Sequence, residues 1–412
     1  MAGSDVEVIV VGGGAAGIAA ARRLHDASIR CLILEARSRL GGRAWTVADA
    51  GGFALDLGCG WLHSADRNPW ARVAQEQGAT IDKTPPPWMR PPLEIGFPRA
   101  DHVKYREALG RFYARLHEAG RCDTDAAAAT LLEPGCRWNG LINAVSTFVS
   151  GAELDRVSIK DLDRYDDSGI NWRISGGYGF VVNAYGASLP VKFDCPVRGI
   201  DCSGKRLVVD TPQGAIAADQ VIVTVPSAVL AADRIAFTPA LPAKIAAAGG
   251  LPLGLDDKFF MSLDGAEEFD KDVRIFGRTD RAATAGYHFR PFGRPMIEAY
   301  FGGALAVALE ASGAHAFFDF AVAELVNIFG SDFSRRLKPI RAHLWGRDPF
   351  ALGSYSYAKP GFADCRQALA EPIEDRLFFA GEACSSRDFS TAHGAWQTGV
   401  AAAEQIITAR GR

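Results

Sequence analysis

Val6-Glu7-Val8-Ile9-Val10-Val11-Gly12-Gly13-Gly14-Ala15-Ala16-Gly17 is the stretch that decides the fold. Its apolar, β-branched half reads as a buried parallel strand. Gly12 permits a tight turn out of that strand, Gly14 lets the backbone approach a pyrophosphate, and Gly17 lets the next helix pack close. That helix, Ala15 to about Asp26, aims its free N–H groups at the phosphates together with Ala16. A second apolar run, Ile29–Leu34, ends at Glu35, about 20 residues past the glycines, where a carboxylate accepts ribose hydroxyls. Strand, helix, strand and terminal acid in this order define a dinucleotide cradle. On its own the cradle fits NAD or FAD.

Working outward, Gly41-Gly42-Arg43 follows Glu35, and Arg43 is placed to donate twice to a pyrophosphate. Far downstream, Phe378-Phe379-Ala380-Gly381-Glu382 and Ala392-His393-Gly394-Ala395 form a second glycine-containing block. With these in view the chain resembles the flavin-containing amine oxidase family of monoamine oxidases, polyamine oxidases and lysine-specific demethylases, as a soluble, bacterial-type member. The matching stretches are Leu40–Thr46, Asp56–His63, Val221–Pro226, Leu253–Phe259, Trp345–Gly361 and Gly381–Ala395. They run in the family's order over nearly the whole length. The resemblance implies a mixed α/β (α+β) fold: a Rossmann-like FAD domain of the glutathione-reductase type, interleaved with a substrate domain of mixed sheet plus helices. Residues 1–74, 175–254 and 346–412 are expected in the FAD domain, and 75–174 and 255–345 in the substrate domain.

The 412 residues suffice for two lobes. A net charge of −3 argues against a nucleic-acid surface. No apolar stretch reaches the roughly 18 residues of a membrane helix. Ala314–Phe329, the most apolar late segment, carries His315, Asp319 and Glu324. Met1–Glu7 lacks a signal-peptide pattern. The eight scattered cysteines show no C-x-x-C, which fits a reduced, cytoplasmic protein. Histidine spacing suggests no metal site, and oligomeric state is unreadable.

Between the motifs, Pro85–Pro92 reads as an extended loop, with a substrate entrance and a plain connection as equal alternatives. His102–Ala119 and Asp125–Leu132 read as helices, as does Phe180–Tyr185. Arg206–Asp210 and Ala215–Ala218 flank a Pro212-Gln213-Gly214 turn, a hairpin pattern.

Lys258 opens an expected strand. A lysine there ordinarily snorkels to solvent, but the resemblance places it where relatives keep a lysine that reaches flavin N5 through a water. The resemblance also assigns cofactor contacts to Ala36, Arg37, Gly42, Gly58, Val197, Gly381, Glu382 and Ala392, beside the cradle residues. It sets Trp61 and Trp345 by the flavin ring, with Tyr355 and Tyr357 as a substrate-side aromatic wall. His63 and His393 read as structural. Two departures stand out. Gly353-Ser354-Tyr355 offers no thiol where some monoamine oxidases attach FAD, so FAD is expected to be non-covalent. Thr391 replaces the second tyrosine of the monoamine oxidase cage, as in the polyamine oxidase and demethylase branch, with Phe389 a possible substitute.

The expected activity is amine oxidation: hydride passes from the α-carbon to flavin N5, the imine is hydrolysed, and O2 is reduced to H2O2. Alternatives are an L-amino-acid oxidase, a desaturase-like or protoporphyrinogen-oxidase-like enzyme, an NAD-dependent dehydrogenase, or a non-catalytic flavoprotein. An amino-acid oxidase needs an arginine facing the substrate carboxylate, and Arg173, Arg274, Arg290 and Arg294 are available. Asp256, Asp257, Glu267 and Glu268 read as a solvated acidic face, the alternative being a carboxylate-lined polyamine tunnel.

Overall fold

The computed structural model describes residues 6–90 and 94–411. Pro91, Pro92 and Met1–Asp5, which carry part of the loop and leader readings, lie outside the described residues.

Two sheets position the site. The first has five parallel strands in the order Leu377–Phe379, Gln220–Val223, Val8–Val11, Cys31–Leu34, Val191–Lys192. The opening strand is continuously apolar because both its faces are covered. Val8 and Val10 pack under the helices Ala15–Asp26 and Ala392–Arg410, against Ile18, Leu24 and Ile406. Ile9 and Val11 pack on the other side against Ile200, Leu207 and Val209 of a four-stranded sheet. That smaller sheet contains the expected hairpin, with Leu207–Asp210 antiparallel to Ile216–Ala218. The last helix lies close against the first: a Cβ on Gly399 would sit 2.1 Å from the Ala16 carbonyl oxygen.

The second sheet is antiparallel, in the order Val273–Phe276, Gly286–Phe289, Met296–Gly302, Asp256–Leu263, Leu337–Ala342. Its strands alternate with period two. Phe259, Met261, Tyr287, Phe289, Ile297, Ala299 and Phe301 face the Ala314–Phe329 helix, with Phe317, Ala321 and Leu325. The opposite face carries Lys258 paired with Tyr300, Glu298 paired with His288, and His288 paired with Arg274. Register thus gathers charged residues from four strands on one face.

The helix expected over His102–Ala119 is present as Arg99–Gly120, and that over Phe180–Tyr185 as Tyr178–Gly186. The helix expected over Asp125–Leu132 is absent, leaving a single 3-10 turn at Ala128–Leu131. Tertiary bonds override the alanine-rich propensity. Ala127 bridges to Ser158, and the Asp125 carboxylate accepts from Ser158 Oγ (2.7 Å), Gly361 N (2.7 Å) and Lys160 N (3.2 Å). Among the described residues, no helix is long and apolar enough to cross a membrane. All eight cysteines are free.

Candidate active site

A cavity of about 1110 Å³ runs from the glycine-rich turn to the polar face of the antiparallel sheet. It exceeds the 300–1,000 Å³ range of ordinary ligand clefts, leaving room for a dinucleotide and a substrate together.

At the cradle end, Gly12 has φ +105°, a region closed to most side chains. A Cβ on Gly14 would meet nothing within 4 Å, so this backbone is open to a ligand. Gly17 lies behind the cradle and does not line the cavity; a Cβ there would fall 1.9 Å from the Gly12 carbonyl oxygen, so its part is helix packing. The buried Glu35 carboxylate accepts from Gly13 N (2.6 Å) and Arg37 N (2.8 Å), which fixes its oxygens at the cavity wall. Arg43 Nη1 donates to Glu382 Oε1 and to the Ser354 carbonyl, each at 2.8 Å. Among the described residues its other guanidinium nitrogens have no protein partner. Glu382 also accepts from Ser356 Oγ at 2.6 Å, so the carboxylate that ties Arg43 to the last segment of the chain is itself held there. Ala15, Ala16, Ala36, Arg37, Gly42, Gly58, Val197, Gly381 and Ala392 line the same space. An open glycine backbone, a helix N-terminus, an anchored carboxylate and a half-engaged arginine fit the ribose and pyrophosphate of a dinucleotide.

Cys59 is a cysteine in the cavity wall. Burial, then the nearby Asp56 carboxylate, pushes its thiol up to about 12, so it is not a nucleophilic thiolate.

At the other end, Lys258 is buried, not snorkelled. Its Nζ pairs with Glu298 Oε1 (3.0 Å) and donates to the Asp56 carbonyl (3.1 Å). Burial weighs against its charge, but Glu298, Tyr300 and Asp56 outweigh this and hold it above the usual lysine range. Glu298 belongs to a longer row. His288 Nδ1 lies 3.4 Å from Glu298 Oε2, and its Nε2 lies 3.1 Å from Asp272 Oδ1. Asp272 meets Arg173 at 2.8 Å, and Arg173 meets Asp82 at 2.6 Å. Burial opposes the charge on Glu298 and Asp272, but their cationic partners draw both well below the usual carboxylate range. Glu298, His288 and Asp272 escaped the sequence reading because they sit on separate segments, joined only by register.

The other sequence-derived positions come together here. Trp61, Trp345, Tyr355, Tyr357 and Thr391 all line the cavity. Trp345 is pinned by Nε1 to the Leu57 carbonyl at 2.9 Å. Trp61 packs edge-on to Trp88, 4.5 Å between centroids, so the proline-rich loop closes on this end; Pro87, Trp88 and Arg90 line the cavity. The Thr391 hydroxyl caps the last helix by accepting from Gly394 N at 3.0 Å. Phe389 stands in the wall beside Tyr165, 5.2 Å away, an aromatic pair that includes the residue considered as the cage substitute. His393 meets Asp388 at 3.1 Å and His63 meets Asn171 at 2.7 Å.

The acidic-face reading holds for Glu267 and Glu268, which are exposed, and fails for Asp256 and Asp257. Both aspartates are buried, because they begin an interior strand with a neighbour on each edge. Burial raises both well above the usual range. Asp256 lines the cavity, and its Oδ1 has no partner among the described residues. Among the described residues, no three His, Cys, Asp or Glu are grouped to hold a metal ion.

The sequence profile described as flavin containing amine oxidoreductase matches residues 15–147 and 133–407. The chain belongs to that family, and its cofactor is FAD. It is 29% identical over 445 residues to "Polyamine oxidase 4" of Oryza sativa subsp. japonica, covering 98% of this chain and 88% of the relative. It is 29% identical to "Polyamine oxidase 2" of Arabidopsis thaliana, covering 96% and 87%. It is 30% identical to "Lysine-specific histone demethylase 1 homolog 3" of Oryza sativa subsp. indica, covering 97% of this chain and 54% of the relative.

Proposed function

We propose that this flavin-dependent amine oxidoreductase uses O2 as its acceptor and holds FAD non-covalently, between an FAD lobe of residues 1–74, 175–254 and 346–412 and a substrate lobe of 75–174 and 255–345. When bound, FAD supplies the hydride acceptor for the carbon beside the amine nitrogen, leaving an imine that water hydrolyses, and passes the electrons to O2 to give H2O2. The backbone around Gly12–Ala16, with Glu35, Arg43 and Glu382, holds the nucleotide. Trp61, Trp345, Tyr355 and Tyr357 exclude water from the reacting end. A dry wall favours the neutral amine, since desolvation lowers an ammonium's pKa, and only the neutral amine gives up hydride readily. Lys258, its charge secured by Glu298, presents a fixed ammonium that stabilises developing negative charge and positions oxygen. The buried Lys258–Glu298 pair facing the cavity that also holds the cradle carries this reading. The free thiols agree with a cytoplasmic setting.

The test is oxygen consumption by the purified yellow protein with a panel of amines. Stoichiometric H2O2 is expected; flavin reduction without oxygen uptake would remove O2 as the acceptor.

A further inference from the structure

Arg274 is a cation in this cavity that makes no ion pair among the described residues; the carboxylate that acts on it, Asp256, is itself held toward its neutral form by burial. Lys258 pairs with Glu298, Arg43 with Glu382 and Arg37 with Asp348. Among the described residues Arg274 has no ion pair and no side-chain hydrogen bond. It is flanked instead by the rings of Phe148 and Phe276, 5.7 and 5.1 Å from its Cζ. The other three arginines considered for a carboxylate in the sequence are engaged. Arg173 holds Asp272 and Asp82, Arg290 donates to the Phe269 carbonyl at 2.6 Å, and Arg294 donates to the Ala54 and Ser175 carbonyls at 2.7 Å each.

Its placement is built into the sheet. Arg274 lies on the polar face, in the same row as His288 and Glu298. Gly286, the neighbouring position toward Tyr300, has no side chain: a Cβ there would lie 3.4 Å from Arg274 Nη2. The guanidinium occupies that gap and points along the sheet toward Tyr300, whose ring lies 5.4 Å from Lys258 Nζ. A partly buried charge flanked by rings and with no hydrogen-bond or ion-pair partner among the described residues is costly unless a ligand completes it. Guanidinium presents parallel N–H groups matched to a carboxylate.

We propose that Arg274 receives a carboxylate on the amine substrate, so that the enzyme acts on amino carboxylates. This rests on the amine oxidase reading and names its substrate class. Asp167 lies in the cavity wall at the His63 and Tyr165 side, and the carboxylates considered for a polycation in the sequence offer it little. Glu267 and Glu268 are exposed on the surface, Asp256 is held toward its neutral form by burial, and Arg106 stands at the cavity wall as a further cation. The rings of Phe148, Phe276 and Tyr105 suit an apolar segment beside the carboxylate.

The test is anaerobic mixing of the yellow holoenzyme with matched pairs, phenylalanine against phenethylamine and 6-aminohexanoate against pentylamine, with spermine alongside. In at least one pair the carboxylated member should bleach the flavin at lower concentration. Arg274→Gln should raise its apparent Kd about 10- to 100-fold and abolish the preference, while Arg274→Lys retains part of it. Flavin content and Tm report whether each variant is folded. Benzoate titration, read by the flavin spectrum, gives a measure independent of turnover: saturable in wild type, lost in Arg274→Gln. Bleaching by spermine or the plain amines in preference to both carboxylated partners, or benzoate binding that Arg274→Gln leaves unchanged, would overturn the proposal. Saturable benzoate binding that depends on Arg274, with no compound bleaching the flavin, would uphold the carboxylate site and sink the amine oxidase reading instead.

Discussion

The two ends of the cavity are built by opposite means. The cradle end is mostly backbone: a glycine turn, the start of a helix, and Glu35 held by two amides. The sheet end is mostly side chain: Lys258, Glu298, His288 and Arg274 from four antiparallel strands. A backbone cradle recognises what every substrate of the enzyme shares, the cofactor. A side-chain face is free to vary with the substrate. The charge distribution follows the same division, since the sheet end holds the network in which Glu298 and Asp272 are held below their usual range and Lys258 above it.

The comparison breaks most visibly at Gly17. Gly17→Ala sets a methyl against the Gly12 carbonyl, and should cost more than about 4 kcal/mol and the bound flavin, read by absorbance and Tm. Flavin retained at full occupancy would mean that the strand-to-helix contact is not what shapes the cradle. At the sheet end, Lys258→Met should slow flavin reduction or reoxidation about 10²- to 10³-fold with FAD still bound, as stopped-flow absorbance would show. Unchanged rates in both half-reactions would remove lysine from the chemistry.

Asp272→Asn tests the supporting row. It should cost about 3 kcal/mol at neutral pH by removing the carboxylate that Arg173 and His288 share, leaving Arg173 to Asp82 and His288 to Glu298. The sign with pH follows from its lowered folded value. The stabilisation is present above the unfolded pKa, near 3.9, and is lost as pH falls through the folded value. Denaturant unfolding from pH 7 downward should therefore show an acid limb in wild type that is shallower in the variant; parallel curves would count against the network. The smallest effect is at Thr391. If its hydroxyl serves as the cap of the last helix, Thr391→Ala should cost about 1 kcal/mol and leave the substrate preference intact. A changed preference would give it a place in the substrate wall.

This contrast also explains what was legible beforehand. The cradle is contiguous, each glycine has a local reason, and the helix runs over Ala15–Asp26 as read. Lys258 stood out only through resemblance, since a lone lysine at a strand start reads as a snorkelling one. Glu298, His288 and Asp272 were invisible, because no local pattern records which residues face each other across antiparallel strands. Asp256-Asp257 was misread for the same reason: two adjacent acids look solvated until the strand is seen inside a sheet, with a neighbour on each edge. Arg274 was one of four candidate arginines, and only the fold, which engages the other three and leaves a gap for it at Gly286, singles it out.

The most direct test measures flavin occupancy and the anaerobic reduction rate per bound flavin, side by side, in Glu35→Gln and Lys258→Met. The account predicts that Glu35→Gln weakens FAD retention about tenfold with the rate per flavin intact, and that Lys258→Met keeps its FAD but turns over slowly. Loss of FAD from Lys258→Met together with an impaired rate in fully loaded Glu35→Gln would contradict the division of labour between the two ends.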